Sequence, residues 1–368
     1  MMKQTLGVLG GNSIGVALAD SLEKRGYPVV LIEPTGELSI PLETIKFVFL
    51  CVDSSQFWSV VEETVSFLTK DTCLIIHPTV PIGTGDQLQD WCDQKGLKVV
   101  VASCAMMEIQ HPSHIVIGGQ ANHPKLKELR HIMLSYDVPI LMTTRKEAEI
   151  IQYTRNAFLA TKMSFINQVA SFCETFGGDI QTIARGIGMD PRIGQGALKA
   201  GIGFGESLSD NLLSLIEQGK QNGVKTPLLE AVQEINDVQG DWVKNRLRRE
   251  LGALEGKTIA IWGVRDQPAL DIIEQLLAEG MELHLYDPFL SSDHSFPRNT
   301  IWHADKWKTV EQAEALIILQ ECQPFQEVDL LHLKEKLNHP LILDGRNLFY
   351  PDMMDMLGFR YIPVGRKV

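Results

Sequence analysis

Thr5-Leu6-Gly7-Val8-Leu9-Gly10-Gly11-Asn12-Ser13-Ile14-Gly15 is the stretch on which the fold turns. Thr5 to Leu9 reads as a short apolar strand. The glycines after it read as a tight turn that opens the helical pattern Ile14 to Lys24. Pro28 to Ile32 reads as the next strand, with Glu33 at its end. A strand, glycine turn, helix, strand and acid in that order signal an adenine dinucleotide. The helix N-terminus takes the pyrophosphate and the acid takes the ribose hydroxyls. The expected cofactor contacts are therefore Gly10, Asn12, Ser13, Ile14, Gly15 and Glu33. A carboxylate at 33 repels a 2′-phosphate and no arginine follows it, so the expected cofactor is NAD rather than NADP. Asn12 stands where the motif has its second glycine. A side chain there crowds the pyrophosphate, although Asn tolerates unusual backbone angles, so weakened rather than lost binding is expected.

The pattern continues outward. Phe47–Val52, Thr72–Ile76 and Lys98–Val101 are further β-branched runs spaced by helical segments, which implies βαβ units and a doubly wound parallel sheet. From Lys146 to Phe176 the apolar residues recur at three- and four-residue steps with no Gly or Pro, which predicts one long helix. Helices are expected at Asp179–Gly186, Leu208–Gly219 and Pro227–Leu251. At Gly256 alternation restarts, with strands Lys257–Gly263, Glu282–Asp287, Ala315–Leu319 and Pro340–Asp344 and a helix Gln267–Ala278. The expected fold is α/β, with two Rossmann-like doubly wound parallel-sheet domains (1–145 and 253–368) joined by a helical domain (146–252).

The chain has 368 residues, 44% hydrophobic and 22% charged, with a formal charge of −12. That balance argues against nucleic acid and anionic membrane as partners. Any phosphate ligand must be held by local groups such as helix N-termini and single arginines. The six cysteines show no paired spacing and sit mostly in apolar runs, which reads as buried thiols in a cytoplasmic protein. No leader segment and no bilayer-length apolar run are expected.

Ala200-Gly201-Ile202-Gly203-Phe204-Gly205-Glu206-Ser207-Leu208-Ser209-Asp210-Asn211 resembles the loop that presents the active cysteine in the UDP-glucose/GDP-mannose dehydrogenase family. The likeness extends through Pro78–Thr84, Pro112–Gly118, Asn156–Asn167, Gly186–Gly194, Asp344–Leu348 and Leu357–Tyr361, in the family's order. It implies an N-terminal NAD domain, a helical dimerisation domain and a C-terminal domain that grips a nucleotide sugar, hence a homodimer. Family enzymes oxidise a sugar hydroxymethyl group to a carboxylate in two hydride transfers, through a cysteine-bound intermediate.

The resemblance places Thr79 at the cofactor and a water, Asn156 at an oxyanion, Arg192 at the sugar nucleotide or a neighbouring subunit, and Gly203, Phe204, Gly205 and Arg346 at the sugar nucleotide. The family's cysteine, its following lysine and aspartate, and its helical lysine read here as Leu208, Asn211, Leu212 and Gln152. A leucine forms no thiohemiacetal or thioester. A neutral amide at 152 keeps a donor but loses most of a lysine's help to a developing alkoxide, a few kcal/mol at such a site. Ser103-Cys104-Ala105-Met106-Met107 replaces the family's Pro-Glu-Phe segment, and Gly263–Pro268 runs into its helix without the family's sugar-nucleotide loop.

Three readings stay open at this stage. One is a regulatory or structural protein that binds NAD, with or without a nucleotide sugar. Another is a two-electron oxidoreductase on a nucleotide sugar or related alcohol. The last is a UDP-sugar 6-dehydrogenase using a different thiol. Cys51 and Cys104 read as small buried hydrophobes, His77 as a structural histidine, and Glu206 as either a substitute base or a helix-start acid. No metal spacing is present.

Overall fold

The computed structural model describes residues 3–33, 45–65, 71–77, 80–106, 108–290 and 296–366. The chain divides into two compact units, Met1–Arg155 and Asn156–Val368.

In the first unit the elements run β1 (Leu6–Leu9), α1 (Ser13–Lys24), β2 (Val29–Ile32), β3 (Phe47–Leu50), α2 (Phe57–Val65) and β4 (Cys73–Ile76). They continue with α3 (Thr84–Gln94), β5 (Val100–Met106), β6 (Ile115–Gly118), α4 (Pro124–Met133), β7 (Ile140–Thr143) and the start of α5 (Arg145–Phe176). The sheet order is β2-β1-β3-β4-β5-β6-β7. Successive strand residues point to opposite faces, and both faces are covered. Val8, Phe49, Ile75 and Cys104 pack with Leu18 and Leu22 of α1 and Leu126 and Leu129 of α4. Leu9, Leu50, Ile76 and Val101 pack with Val61 of α2 and Leu88 of α3. This is the doubly wound arrangement the sequence predicts, with one departure: β6 runs antiparallel to β5, and β7 pairs parallel with β6. The sheet is therefore mixed at one end. β5 also extends to Met106, so Ser103 to Met106 belongs to a strand.

In the second unit α5 is followed by α6 (Ile180–Gly188), α7 (Glu206–Gln221), α8 (Pro227–Leu251), β8 (Thr258–Trp262), α9 (Gln267–Ala278), β9 (Glu282–Tyr286) and β10 (Thr300–Trp302). Then come α10 (Lys306–Val310), β11 (Ala315–Ile318), α11 (Gln323–Gln326), α12 (Leu330–Lys336), β12 (Leu341–Asp344), α13 (Pro351–Met356) and β13 (Arg360–Pro363). The order is β10-β9-β8-β11-β12-β13, with every pairing parallel. One face buries Ile259, Ile261 and Leu283 against Val243 and Leu247 of α8 and Ile272 and Leu276 of α9. The other buries Trp262, Ile318 and Tyr361 against Phe325, Leu333 and Met354. No helix among the described residues is long and apolar enough to cross a membrane.

Candidate functional site

The turn after β1 is built so that backbone, not side chain, lines it. Gly10 has φ +116°, and a Cβ there would lie 2.3 Å from the Cys51 carbonyl oxygen. A Cβ on Gly15 would lie 1.9 Å from the Gly10 carbonyl oxygen, so helix and strand approach closely only because both are glycine. Gly11 is exposed, and a Cβ on it would meet the Glu33 carboxylate at 2.2 Å. Glu33 is thus held over the turn, on the exposed side, where ribose hydroxyls can reach it. Ser13 and Ile14 are exposed in the first turn of α1.

Asn12 differs from the expectation. Its φ is −69°, so the position needs no glycine. Its side chain caps α1, with Oδ1 accepting from the Gly15 N–H at 2.9 Å and Nδ2 donating to Asp53 Oδ1 at 3.3 Å. The amide is engaged sideways as an N-cap. It occupies one of the helix's free donors rather than the path of the backbone.

Thr79 lies outside the described residues. Just before it, His77 follows β4 at 4% exposure, and its Nε2 has no hydrogen-bond partner. Burial pushes its pKa down to about 4, so the ring is neutral near pH 7. On α5, Glu149 is buried and accepts from the Gly83 and Gly85 N–H groups (2.6 and 2.9 Å) and from the Ser103 hydroxyl (2.9 Å). Its pKa is nonetheless raised, because burial outweighs those bonds. One turn further on, Gln152 is half-buried.

In the second unit the loop before α7 is fastened from two helices. Asn167 Oδ1 accepts from the Gly201 N–H at 2.9 Å, Gln239 Nε2 donates to the Gly201 carbonyl at 2.7 Å, and Asn236 Oδ1 accepts from the Phe204 N–H at 2.9 Å. Gly203 has φ +114°, and a Cβ on it would lie 2.8 Å from Asn236 Oδ1, so glycine is required there. Gly205 is the N-cap of α7 with φ −71°. Leu208 packs on Ala157, Ala160, Phe204 and Leu212, an apolar cluster. Asn156 and Asn211 are 2% and 7% exposed, and neither Oδ1 has a hydrogen-bond partner. Asn211 Nδ2 donates to the Ser207 carbonyl.

The two expected arginines part company. Arg192 is exposed and chelated by Asp190, two residues before it. Arg346 is drawn inward, its Nε donating to the Leu319 carbonyl at 2.7 Å. It lines a cavity of about 300 Å³ together with Arg185, Lys199, Gln181, Asn347 and Glu321. Three cations against one acid suit a phosphate-bearing ligand. Arg185 and Lys199 are not legible as site residues in the sequence, since neither lies in a motif that marks it. A separate cavity of about 380 Å³, between α7, α8 and α9, has Asp210, Asp237 and Asp271 on its wall and no cation among the described residues. It does not suit a diphosphate.

The turn after β8 repeats the first unit's plan with a different outcome. Gly263 has φ +88°, Asp266 caps α9, and Asp287 follows β9. Asp287 is 1% exposed, accepts from the Val264 N–H (3.1 Å) and the Phe289 N–H (2.9 Å), and forms an ion pair with Arg265 Nε at 2.9 Å. Its acceptor capacity is taken up by the protein.

Comparison with known proteins matches residues 146–238 to the UDP-glucose/GDP-mannose dehydrogenase family, central domain, and residues 262–351 to that family's UDP binding domain. UDP-glucose 6-dehydrogenase TuaD of Bacillus subtilis is 34% identical over 317 residues, covering 80% of this chain and 68% of that protein. A UDP-glucose 6-dehydrogenase of Pseudomonas aeruginosa is 31% identical, covering 90% of this chain and 83% of its own length. The fold is that of a UDP-glucose dehydrogenase from Pyrobaculum islandicum, with a TM-score of 0.83 over 99% of this chain and 98% of the other at 21% identity. The chain belongs to the UDP-glucose/GDP-mannose dehydrogenase family, whose members are NAD-dependent oxidoreductases of nucleotide sugars.

Proposed function

We propose that this chain binds NAD and a nucleotide sugar but does not carry the sugar to a uronic acid through a cysteine-bound intermediate. The observation that carries this reading is Leu208, a hydrocarbon side chain packed in an apolar cluster where covalent chemistry needs a thiolate. Burial raises the pKa of all six thiols, the half-buried Cys322 included, which disfavours each as a replacement nucleophile. Cys51, Cys73 and Cys104 are buried, and burial pushes each pKa up to about 12, where the thiolate is scarce at neutral pH.

NAD, when bound, supplies the hydride acceptor. The chain's own residues then divide the work. The first turn of α1 offers N–H groups to the pyrophosphate, and Glu33 accepts from the ribose hydroxyls. Arg185, Lys199 and Arg346 give the cationic wall for a sugar diphosphate. Asn156, with an unanswered buried oxygen, accepts a hydrogen bond from a ligand hydroxyl or N–H.

A second reading, two-electron oxidation of a nucleotide sugar or related alcohol, is favoured by His77. Its neutral ring keeps one nitrogen unpaired at the C-terminal edge of the first sheet, where doubly wound folds bind ligands. Such a reaction needs no nucleophile.

The three-domain reading (1–145, 146–252, 253–368) and a homodimer belong to the same proposal. Phe158, Phe165 and Phe172 recur every seven residues along α5, and all are more than half exposed. A seam of that period fits a second copy of the helix. The buried reduced thiols fit a reducing compartment such as the cytoplasm.

Product analysis after incubation with NAD and a UDP-hexose tests the reading. Absence of the uronic acid is expected. An aldehyde or ketone with one reduced nicotinamide per sugar selects the second reading, and a uronic acid with two per sugar overturns both.

A further inference from the structure

Within the first unit, the N-terminus of α3 is closed by a side chain from another helix. Gly83 is its N-cap at φ +96° and has no capping side chain to offer. The first donors of the helix go instead to Glu149 of α5. Oε2 of that residue accepts from the Gly83 N–H at 2.6 Å, and Oε1 accepts from the Gly85 N–H and from Ser103 Oγ, both at 2.9 Å. Glu149 is 5% exposed. The fit is close, since a Cβ on Gly85 would lie 2.8 Å from Glu149 Oε1 and 2.7 Å from Ser103 Oγ. A matching contact lies nearer the surface, where Asp86 of α3 meets Arg145 at 2.7 Å and Lys146 at 3.2 Å at the start of α5. Each helix thus lends an acid to the other.

A helix N-terminus attracts an anion, and here the protein supplies its own. The α3 N-terminus is therefore not a second phosphate site, and Glu149 instead fixes where the chain enters α3.

The sheet shows what that entry faces. Strands β1, β3 and β4 are adjacent and parallel, so the turns after β1 and β4 open on one edge. They lie two strand spacings apart, about 10 Å. Glu33 follows β2, on the opposite side of β1. An adenosine ribose on Glu33 and a pyrophosphate at α1 direct the nicotinamide half of NAD away from β2, across β3 toward β4. The chain met there is the one that enters α3 at Gly83.

We propose that Glu149 is a positioning residue for the cofactor: its buried carboxylate fixes the entry to α3 and so sets the affinity for the nicotinamide half of NAD, without touching the cofactor. The inference rests on NAD binding in the first unit. A glutamine at 149 cannot do the same. It has one acceptor oxygen, and its NH2 would face either the Gly83 N–H or the Gly85 N–H and Ser103, leaving at least one buried donor stranded.

Calorimetry on the full chain with NAD and with ADP-ribose, which lacks the nicotinamide, tests it. Glu149→Gln is expected to weaken NAD about tenfold and ADP-ribose by less than about threefold. Equal losses for the two ligands would make the carboxylate a support of the whole unit, and unchanged NAD affinity would disconnect it from the cofactor. Either result overturns the inference and leaves NAD binding itself standing. If the wild type binds neither ligand, NAD binding fails and this inference falls with it. Should Glu149→Gln fold poorly, Ser103→Ala removes one of the three bonds and keeps the charge. It is expected to weaken NAD about threefold with ADP-ribose unchanged, and equal effects on both would again overturn the inference.

Discussion

The turn after β1 and the turn after β8 share one plan: a parallel strand, a left-handed glycine, a capped helix and an acid after the next strand. They differ in where the acid's hydrogen bonds go. Glu33 is exposed over an open glycine turn, whereas Asp287 is buried and saturated by Arg265 and two backbone N–H groups. The first acid is available to a ligand and the second is a structural strut. The same topology therefore gives a binding turn in one unit and a closed one in the other.

The largest effect is expected from breaking the strut. Asp287→Ala strands the Arg265 charge, the buried Val264 N–H and the part-buried Phe289 N–H, costing on the order of 3 kcal/mol. Chemical denaturation should register that loss while NAD affinity holds. If NAD binding fell and stability did not, the two acids would have exchanged roles.

His77 makes the first unit sensitive to acid. Its folded pKa, about 4, lies below the ordinary 6.5. The unfolded chain thus binds more protons between those values, and stability rises with pH across that window. The full contribution, roughly 3 kcal/mol, is present above about pH 6.5 and is lost as pH falls toward 4. His77→Gln should flatten that limb of the stability profile, and an unchanged acid limb would contradict the burial of a neutral ring.

Gly10→Ala sets a side chain at φ +116° against the Cys51 carbonyl, a strain of about 1–3 kcal/mol. It should also abolish NAD binding, because the turn must shift. The matched change Gly263→Ala, at φ +88° and 2.4 Å from Gln320 Cβ, should cost similar stability and leave NAD binding intact. Glu33→Gln is the mildest change. It keeps the fold and weakens NAD by about tenfold, through loss of a charged acceptor on ribose hydroxyls.

Much of this contrast is hidden in the sequence. The bounds of α8 and α9 are legible, because Pro at the helix start and Asp266 as a cap leave local marks. Strands β1, β3, β4 and β8 are legible from short apolar runs. Strand direction is not: Ile115 to Gly118 reads as a strand either way, and only its pairing with β5 shows it antiparallel. Glu33 and Asp287 look alike as strand-ending acids, since nothing local says that Arg265 folds back onto the second. Lys199 and Arg185 meet Arg346 only through tertiary folding. Asn12 reads as an intruder in the turn, and only its bonds to Gly15 and Asp53 reveal a cap.

The contrast between the two turns is tested most directly by titrating the chain with NAD in a calorimeter, alongside Gly10→Ala and Gly263→Ala. One NAD per chain is predicted, lost in Gly10→Ala and kept in Gly263→Ala. Two NAD per chain, or binding that survives Gly10→Ala and vanishes in Gly263→Ala, would contradict it.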